Sequence, residues 1–244
     1  MKFSWLLPLL LLTVECSGQE TVSQKTFPDI ALTNQIDFTD PQFDQARFSC
    51  GFLLKHHNDT VAVTAKHLLK VIKTKEMNTV SFGNSIKAWS LFSLSNKGNK
   101  VVTKALLNEN KAELLEDKAT YDDDWLVFSL SANHTAVKPL EARSTPLTPG
   151  EKLYVVGWTR KMEAGPQRVY EFEYYKTIDH RLLLKDLIVP EQFGGLSGAP
   201  VVDEQGLVVG IVSNSTMDPA TKKKYFSPCA LDGLLAFLET NSKK

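Results

Sequence analysis

Gly195-Leu196-Ser197-Gly198-Ala199-Pro200 is followed by Val201-Val202-Asp203-Glu204-Gln205-Gly206 and then by Leu207-Val208-Val209-Gly210-Ile211-Val212-Ser213. A serine sits on a tight turn between glycines, and two short apolar runs follow it, separated by a second turn. Glycines on either side open backbone conformations closed to other residues, so that amide hydrogens can converge on one point. A hydroxyl beside such amides is what acyl transfer requires: a nucleophile and a site for an oxyanion in one loop. Read alone, the stretch is also compatible with a plain turn between strands.

The residues upstream decide between the two. Thr64-Ala65-Lys66-His67 ends the apolar run Val61-Ala62-Val63, and Asp124 opens the run Trp125-Leu126-Val127-Phe128. A serine nucleophile needs a base to take its proton and a carboxylate to orient that base. His67, Asp124 and Ser197 occur in that order, each at the edge of an expected strand. His56 and His57 adjoin Asn58-Asp59 and read as exposed turn residues. Asp122 and Asp123 compete with Asp124, which is favoured because the apolar run begins directly after it.

This order and these contexts resemble the chymotrypsin-like serine peptidases over about residues 45–240. Ser49-Cys50-Gly51-Phe52-Leu53-Leu54 is similar to the family's strand before the histidine. Thr64-Ala65-Lys66-His67 is similar to its Thr-Ala-Ala-His, and Asp124-Trp125-Leu126-Val127 to its aspartate segment. Pro149-Gly150-Glu151 before Leu153-Tyr154-Val155-Val156-Gly157-Trp158 resembles the opening of the second barrel. The resemblance implies an all-β, trypsin-like fold of two six-stranded antiparallel β-barrels with a short C-terminal helix. It implies a serine endopeptidase with His67, Asp124 and Ser197 as catalytic residues and the amides of Gly195 and Ser197 as the oxyanion hole. Ser213 matches the position whose backbone pairs with the substrate, and Glu191 stands where trypsin-like members carry the residue at the floor of the specificity pocket. Glu191 also reads as a solvated loop residue after Pro190. Two departures stand out. Leu196 replaces the aspartate that many members use to pair with a newly freed N-terminus, and Leu68 follows His67 where animal members carry a bridging cysteine. The pattern is closer to bacterial members. The rival reading is a catalytically idle trypsin-fold protein that binds a peptide or protein partner.

With 244 residues and 43% apolar residues, the chain can bury a sizeable core. Basic and acidic residues balance at 28 each, which gives no support for nucleic acid as a partner. The expected partner is a polypeptide substrate, and a monomer is expected. Residues 1–18 read as a signal peptide: Lys2, an apolar core at 5–14 too short to span a bilayer, and Cys16-Ser17-Gly18 for cleavage. The expectation is export, periplasmic or secreted, with no membrane span and a mature start at Gln19. A lipoprotein anchor at Cys16 is the alternative, disfavoured by Glu15. Cys50 and Cys229 are expected as buried free thiols, a bridge between them being the alternative.

Residues 19–44 read as a polar N-terminal arm, 45–138 as the first barrel and 139–244 as the second barrel with its helix. Strands are expected at 46–55, 60–65, 80–94 (two, broken near Gly83-Asn84), 100–107 and 125–130. The second half is expected to hold strands at 153–158, 168–178, 181–187, 199–202 and 207–214, with a helix at 231–238. The segment 107–120 reads as a charged loop. Metal ligation finds little support: His56-His57 has no partner at a fixed spacing, and Asp122-Asp123-Asp124 lacks the rest of a calcium loop. No cofactor is expected.

Overall fold

The computed structural model describes residues 24–241. The expected leader 1–18, with Cys16 and the proposed cleavage site, lies outside the described residues, as do Lys243 and Lys244. In the first half, β1 (Ala31–Phe38), β2 (Gln45–His56) and β3 (Asp59–Thr64) lead into the short helix α1 (Leu68–Ile72). β4 (Thr79–Val80), β5 (Ile86–Ser93), β6 (Asn96–Leu106), β7 (Asn110–Leu114) and β8 (Leu126–Asn133) follow. The second half holds β9 (Lys152–Gly157), β10 (Arg168–Ile178), β11 (Arg181–Ile188), β12 (Pro200–Val202), β13 (Val208–Met217), β14 (Lys224–Ala230) and the helix α2 (Asp232–Asn241).

These strands close two six-stranded antiparallel barrels, in the orders β1-β2-β3-β8-β6-β5 and β10-β11-β14-β13-β12-β9. Closure leaves no unpaired edge in either barrel. The pair β4-β7 forms a small separate sheet.

Two expectations are corrected and one strand is added. The segment 19–44 is not merely an arm: β1 within it is a wall of the first barrel, paired to both β2 and β5. Its buried Thr33 and Asn34 masked the alternation. The charged stretch 107–120 is not only loop, since it contains β7 and pairs with β4. Residues 224–230 form the sixth strand of the second barrel, which no expectation covered. Pro228 hides it, because proline cannot donate to a ladder. The β11–β14 register includes Arg181 with Cys229 and Leu184 with Phe226, on either side of that proline.

Side chains alternate across a strand, so the two faces of β2 serve two cores. Leu53 points into the first barrel with Leu32, Ile36, Leu69, Trp89, Leu91 and Phe128. Phe52 and Leu54 point the other way, into a cluster that continues through Val155, Tyr170, Phe172 and Ile211 of the second barrel. That is why residues 50–54 are buried without interruption. The shared cluster fixes the two barrels against each other, and residues from both meet along the seam.

Candidate active site

The first barrel supplies two of the side chains through register alone. β3 pairs β8 with Thr64 opposite Leu126, so His67 and Asp124 extend from the same end of adjacent strands. The His67 amide donates to Asp124 Oδ1 at 2.8 Å, and its Nδ1 lies 2.7 Å from Asp124 Oδ2. Asp124 is fully buried, and the His67 side chain keeps 13% of its surface exposed. Burial pushes the Asp124 carboxyl up, but hydrogen bonds and electrostatic attraction from His67, together with the Ser213 hydroxyl, hold it below the ordinary value. A carboxylate only accepts, so Nδ1 carries the proton and Nε2 is left as an acceptor. His67 Nε2 lies 2.9 Å from Ser197 Oγ. The ring also stacks on Tyr121 at 5.9 Å.

The second barrel supplies Ser197 through a loop. Gly195 and Gly198 have φ of 100° and 82°, a region L side chains avoid. A Cβ at Gly195 would strike the Arg160 backbone, and one at Gly198 would strike the Cys50 carbonyl and Ala65 amide. The Gly194 carbonyl accepts from the Arg160 amide at 2.6 Å, and the Leu196 carbonyl accepts from the Ala199 amide at 2.8 Å. Carbonyl and amide of a trans peptide point oppositely. The amides of Gly195 and Ser197 are therefore turned away from those two partners, and neither donates to an acceptor among the described residues. The Ser197 carbonyl takes the Cys50 amide at 2.9 Å, docking the loop on the first barrel. Leu196 is wholly buried against Gly157. An apolar contact thus occupies the position where many relatives place an ion-paired aspartate.

Ser213 enters the site through its side chain. Its hydroxyl makes a short hydrogen bond to Asp124 Oδ2, and the β13–β14 register shifts between Ile211 and Asn214 around it. Glu191 does not join the site. Its carboxylate is 63% exposed and faces Lys161 at 3.5 Å, where a pocket floor would be enclosed. Between the approach to Ser197 and β14, Phe193 stacks on Phe226 at 4.8 Å, and Phe226 on Phe172 at 4.8 Å. Asp122 and Asp123 stay apart from His67. The Asp122 carbonyl faces Cys229 Sγ at 3.6 Å, and Asp123 packs against Gly233. Cys50 and Cys229 are both free and buried, and burial raises each thiol to about 11.

Arg181 also belongs to the site. It opens the apolar run Arg181-Leu182-Leu183-Leu184 and read only as the start of a strand. The guanidinium is buried and donates to Ser213 Oγ and to the Tyr121 carbonyl, both at 3.0 Å. It also bonds Asn214 and the Ser227 carbonyl. Burial lowers its pKa, partly offset by Cys229 and Asp124, yet a guanidinium stays charged. Arg181 occupies an acceptor site on the Ser213 oxygen and thereby directs that hydroxyl's proton to Asp124. The only signal for it in the sequence is a charge at the mouth of an apolar strand.

Paired closed barrels with a serine, a histidine and a buried aspartate hydrogen-bonded across their seam define the architecture of chymotrypsin-type proteases. The trypsin family model matches residues 33–230, and the chain belongs to that family. No curated protein matches it. Solved structures share the fold at low identity. The structure of GrC superposes with a TM-score of 0.59 at 18% identity over 93% of this chain and 99% of that one. Neuropsin, a serine protease of mouse brain, gives 0.57 at 15% over 85% and 93%. The active form of the Rv3671c protease from M. tuberculosis gives 0.53 at 13% over 86% and 79%.

Proposed function

We propose that this chain is an exported serine endopeptidase that cuts peptide bonds through an acyl-enzyme on Ser197. The observation that carries the reading is the unbroken hydrogen-bond chain from Ser197 Oγ through His67 to Asp124. In the first step Ser197 Oγ attacks the scissile carbonyl while His67 Nε2 takes its proton. Asp124 holds the ring in the required tautomer and stabilises the imidazolium. The carbonyl oxygen, now negative, is met by the amides of Gly195 and Ser197. His67 then protonates the leaving amine, and water, deprotonated by the same nitrogen, releases the acyl group. The backbone of Ser213 on β13 pairs with the substrate as an added strand. Export rests on the leader-like residues 1–18 and predicts a mature N-terminus at Gln19, readable by N-terminal sequencing.

The test is labelling by a fluorophosphonate, which reacts only with an activated serine. Wild type is expected to label and Ser197→Ala to remain blank. Peptide hydrolysis in that variant should fall by about 10⁴-fold or more. Absence of labelling in folded wild-type protein would reject the enzyme reading in favour of a binding role.

A further inference from the structure

We infer that His56, His57 and Glu239 form a divalent-metal site, of zinc type, that clamps the first barrel to the C-terminal helix. The sequence offered only an adjacent histidine pair, with Glu239 more than 180 residues away in the chain. The fold brings them together. His57 Nε2 lies 2.9 Å and His56 Nε2 3.7 Å from Glu239 Oε1, and the three potential ligand atoms all lie within 4.8 Å of one another. Zinc bonds imidazole nitrogen and carboxylate oxygen at about 2.0–2.2 Å, which sets tetrahedral neighbours about 3.3 Å apart. The two measured separations bracket that distance. Two imidazoles and one carboxylate suit zinc and leave a fourth position for water.

Two further observations point to a ligand. Consecutive residues of a strand face opposite ways, so neighbouring histidines do not ordinarily chelate. Here His56 ends β2 and pairs with Asp59, making His57-Asn58 a two-residue turn. His57 takes φ of 51°, and the two rings come to 4.2 Å. Glycine suits that conformation best, and a histidine kept there is an outlier of the kind that accompanies a site. The His56 side chain is 10% exposed, and its Nε2 is buried with no hydrogen-bond partner among the described residues. A metal would satisfy that nitrogen.

The supporting elements are rigid. α2 buries Leu234 and Leu238 and packs Phe237 against Trp125, the tilted rings lying 5.3 Å apart. Its first turn is held by Asp232, 2.8 Å from His180 Nδ1. A metal on Glu239 therefore joins a β-turn of one barrel to the helix that follows the last strand of the other.

The experiment is a Zn²⁺ titration of untagged, chelator-treated protein by calorimetry, followed by thermal melts with and without Zn²⁺. One saturable equivalent is expected, with a melting temperature that rises with free Zn²⁺. Co²⁺ in its place should show the intense visible bands of a tetrahedral site. His57→Ala and Glu239→Gln should each weaken binding by at least about tenfold, the effect of disturbing even an outer partner of a metal ligand. Both side chains are exposed, and far-UV circular dichroism checks that the variants remain folded. His134→Ala, at an exposed histidine elsewhere, should bind as wild type does. Failure of the folded wild type to take up one equivalent would overturn the inference. Uptake unchanged in both His57→Ala and Glu239→Gln would overturn it equally, since the ion would then lie elsewhere. A Ser197→Ala background serves as well, so the result is independent of hydrolysis.

Discussion

The two barrels close with the same number of strands, yet they place their halves of the site by different means. In the first, His67 and Asp124 lie where two paired strands end, and the ladder that builds the wall also sets their separation. In the second, Ser197 rides on a loop whose shape depends on two left-handed glycines and one buried leucine. A ladder is redundant, because each hydrogen bond is supported by its neighbours. The loop has no such repetition, and one misplaced atom reorients its amides. Damage to the first barrel should therefore appear as lost stability alone, and damage to the loop as lost turnover even in protein that stays folded.

Substitutions can test that division. Leu196→Ala removes the apolar anchor of the loop and should cost about 2–5 kcal/mol of stability. Fluorophosphonate labelling should slow even well below the melting temperature. Normal labelling of the folded variant would show that the glycines alone hold the loop. Gly195→Ala forces a Cβ into the Arg160 backbone and turns one amide away. kcat should drop by about 10²–10³-fold, the usual loss for one oxyanion donor. A steady-state assay in which KM rose instead and kcat held would remove Gly195 from the oxyanion hole.

The counterpart in the first barrel is Asn34. Its amide donates to the Phe48 and Cys50 carbonyls, both at 2.9 Å, and its oxygen accepts from Trp89 Nε1 at 2.9 Å. Asn34→Ala leaves buried groups unpaired and should cost about 2–3 kcal/mol in a denaturant titration. kcat/KM of the folded protein should be unchanged. A comparable fall in kcat/KM would erase the distinction between the halves.

The smallest effect concerns acid. Asp218 is held down to about 2 by its hydrogen bond to Lys176, against a burial penalty, with further bonds from Ala220 and Thr221. Its folded pKa is depressed, so its stabilisation is complete above the ordinary carboxyl range near about 4. It is lost as pH falls through about 2. Asp218→Asn should flatten the acid limb of stability between those values. An unchanged limb would assign acid unfolding to other carboxylates.

What could be read from the sequence follows the same division. Val61-Ala62-Val63 before His67 and Trp125-Leu126-Val127 after Asp124 mark strand ends, and strand ends place side chains. The glycines around Ser197 mark its turn. Chain order together with these local contexts therefore brought the three residues onto one fold. The aspartate beside the apolar run is the one that meets the histidine. β14 was invisible because Lys224, Ser227 and Pro228 interrupt its pattern, and β1 because Asn34 turns a polar side chain inward to serve the neighbouring backbone. Arg181 escaped for the reason Glu191 misled. A charged residue at the end of an apolar run carries no sign of whether it faces inward or outward. Direction comes from partners distant in sequence, Ser213 and Tyr121 for one and Lys161 for the other.

Leu196 carries a last consequence. A loop seated by an ion pair loosens when a shift in pH neutralises a partner and, where the pair meets solvent, when salt screens it, because both weaken charge attraction. A loop seated by a buried leucine is indifferent to both, but apolar burial weakens on cooling. We expect the serine loop to tolerate brine and mild acid and to lose its shape first in the cold. Turnover should then fall faster on chilling than the activation energy of the chemical step alone would require.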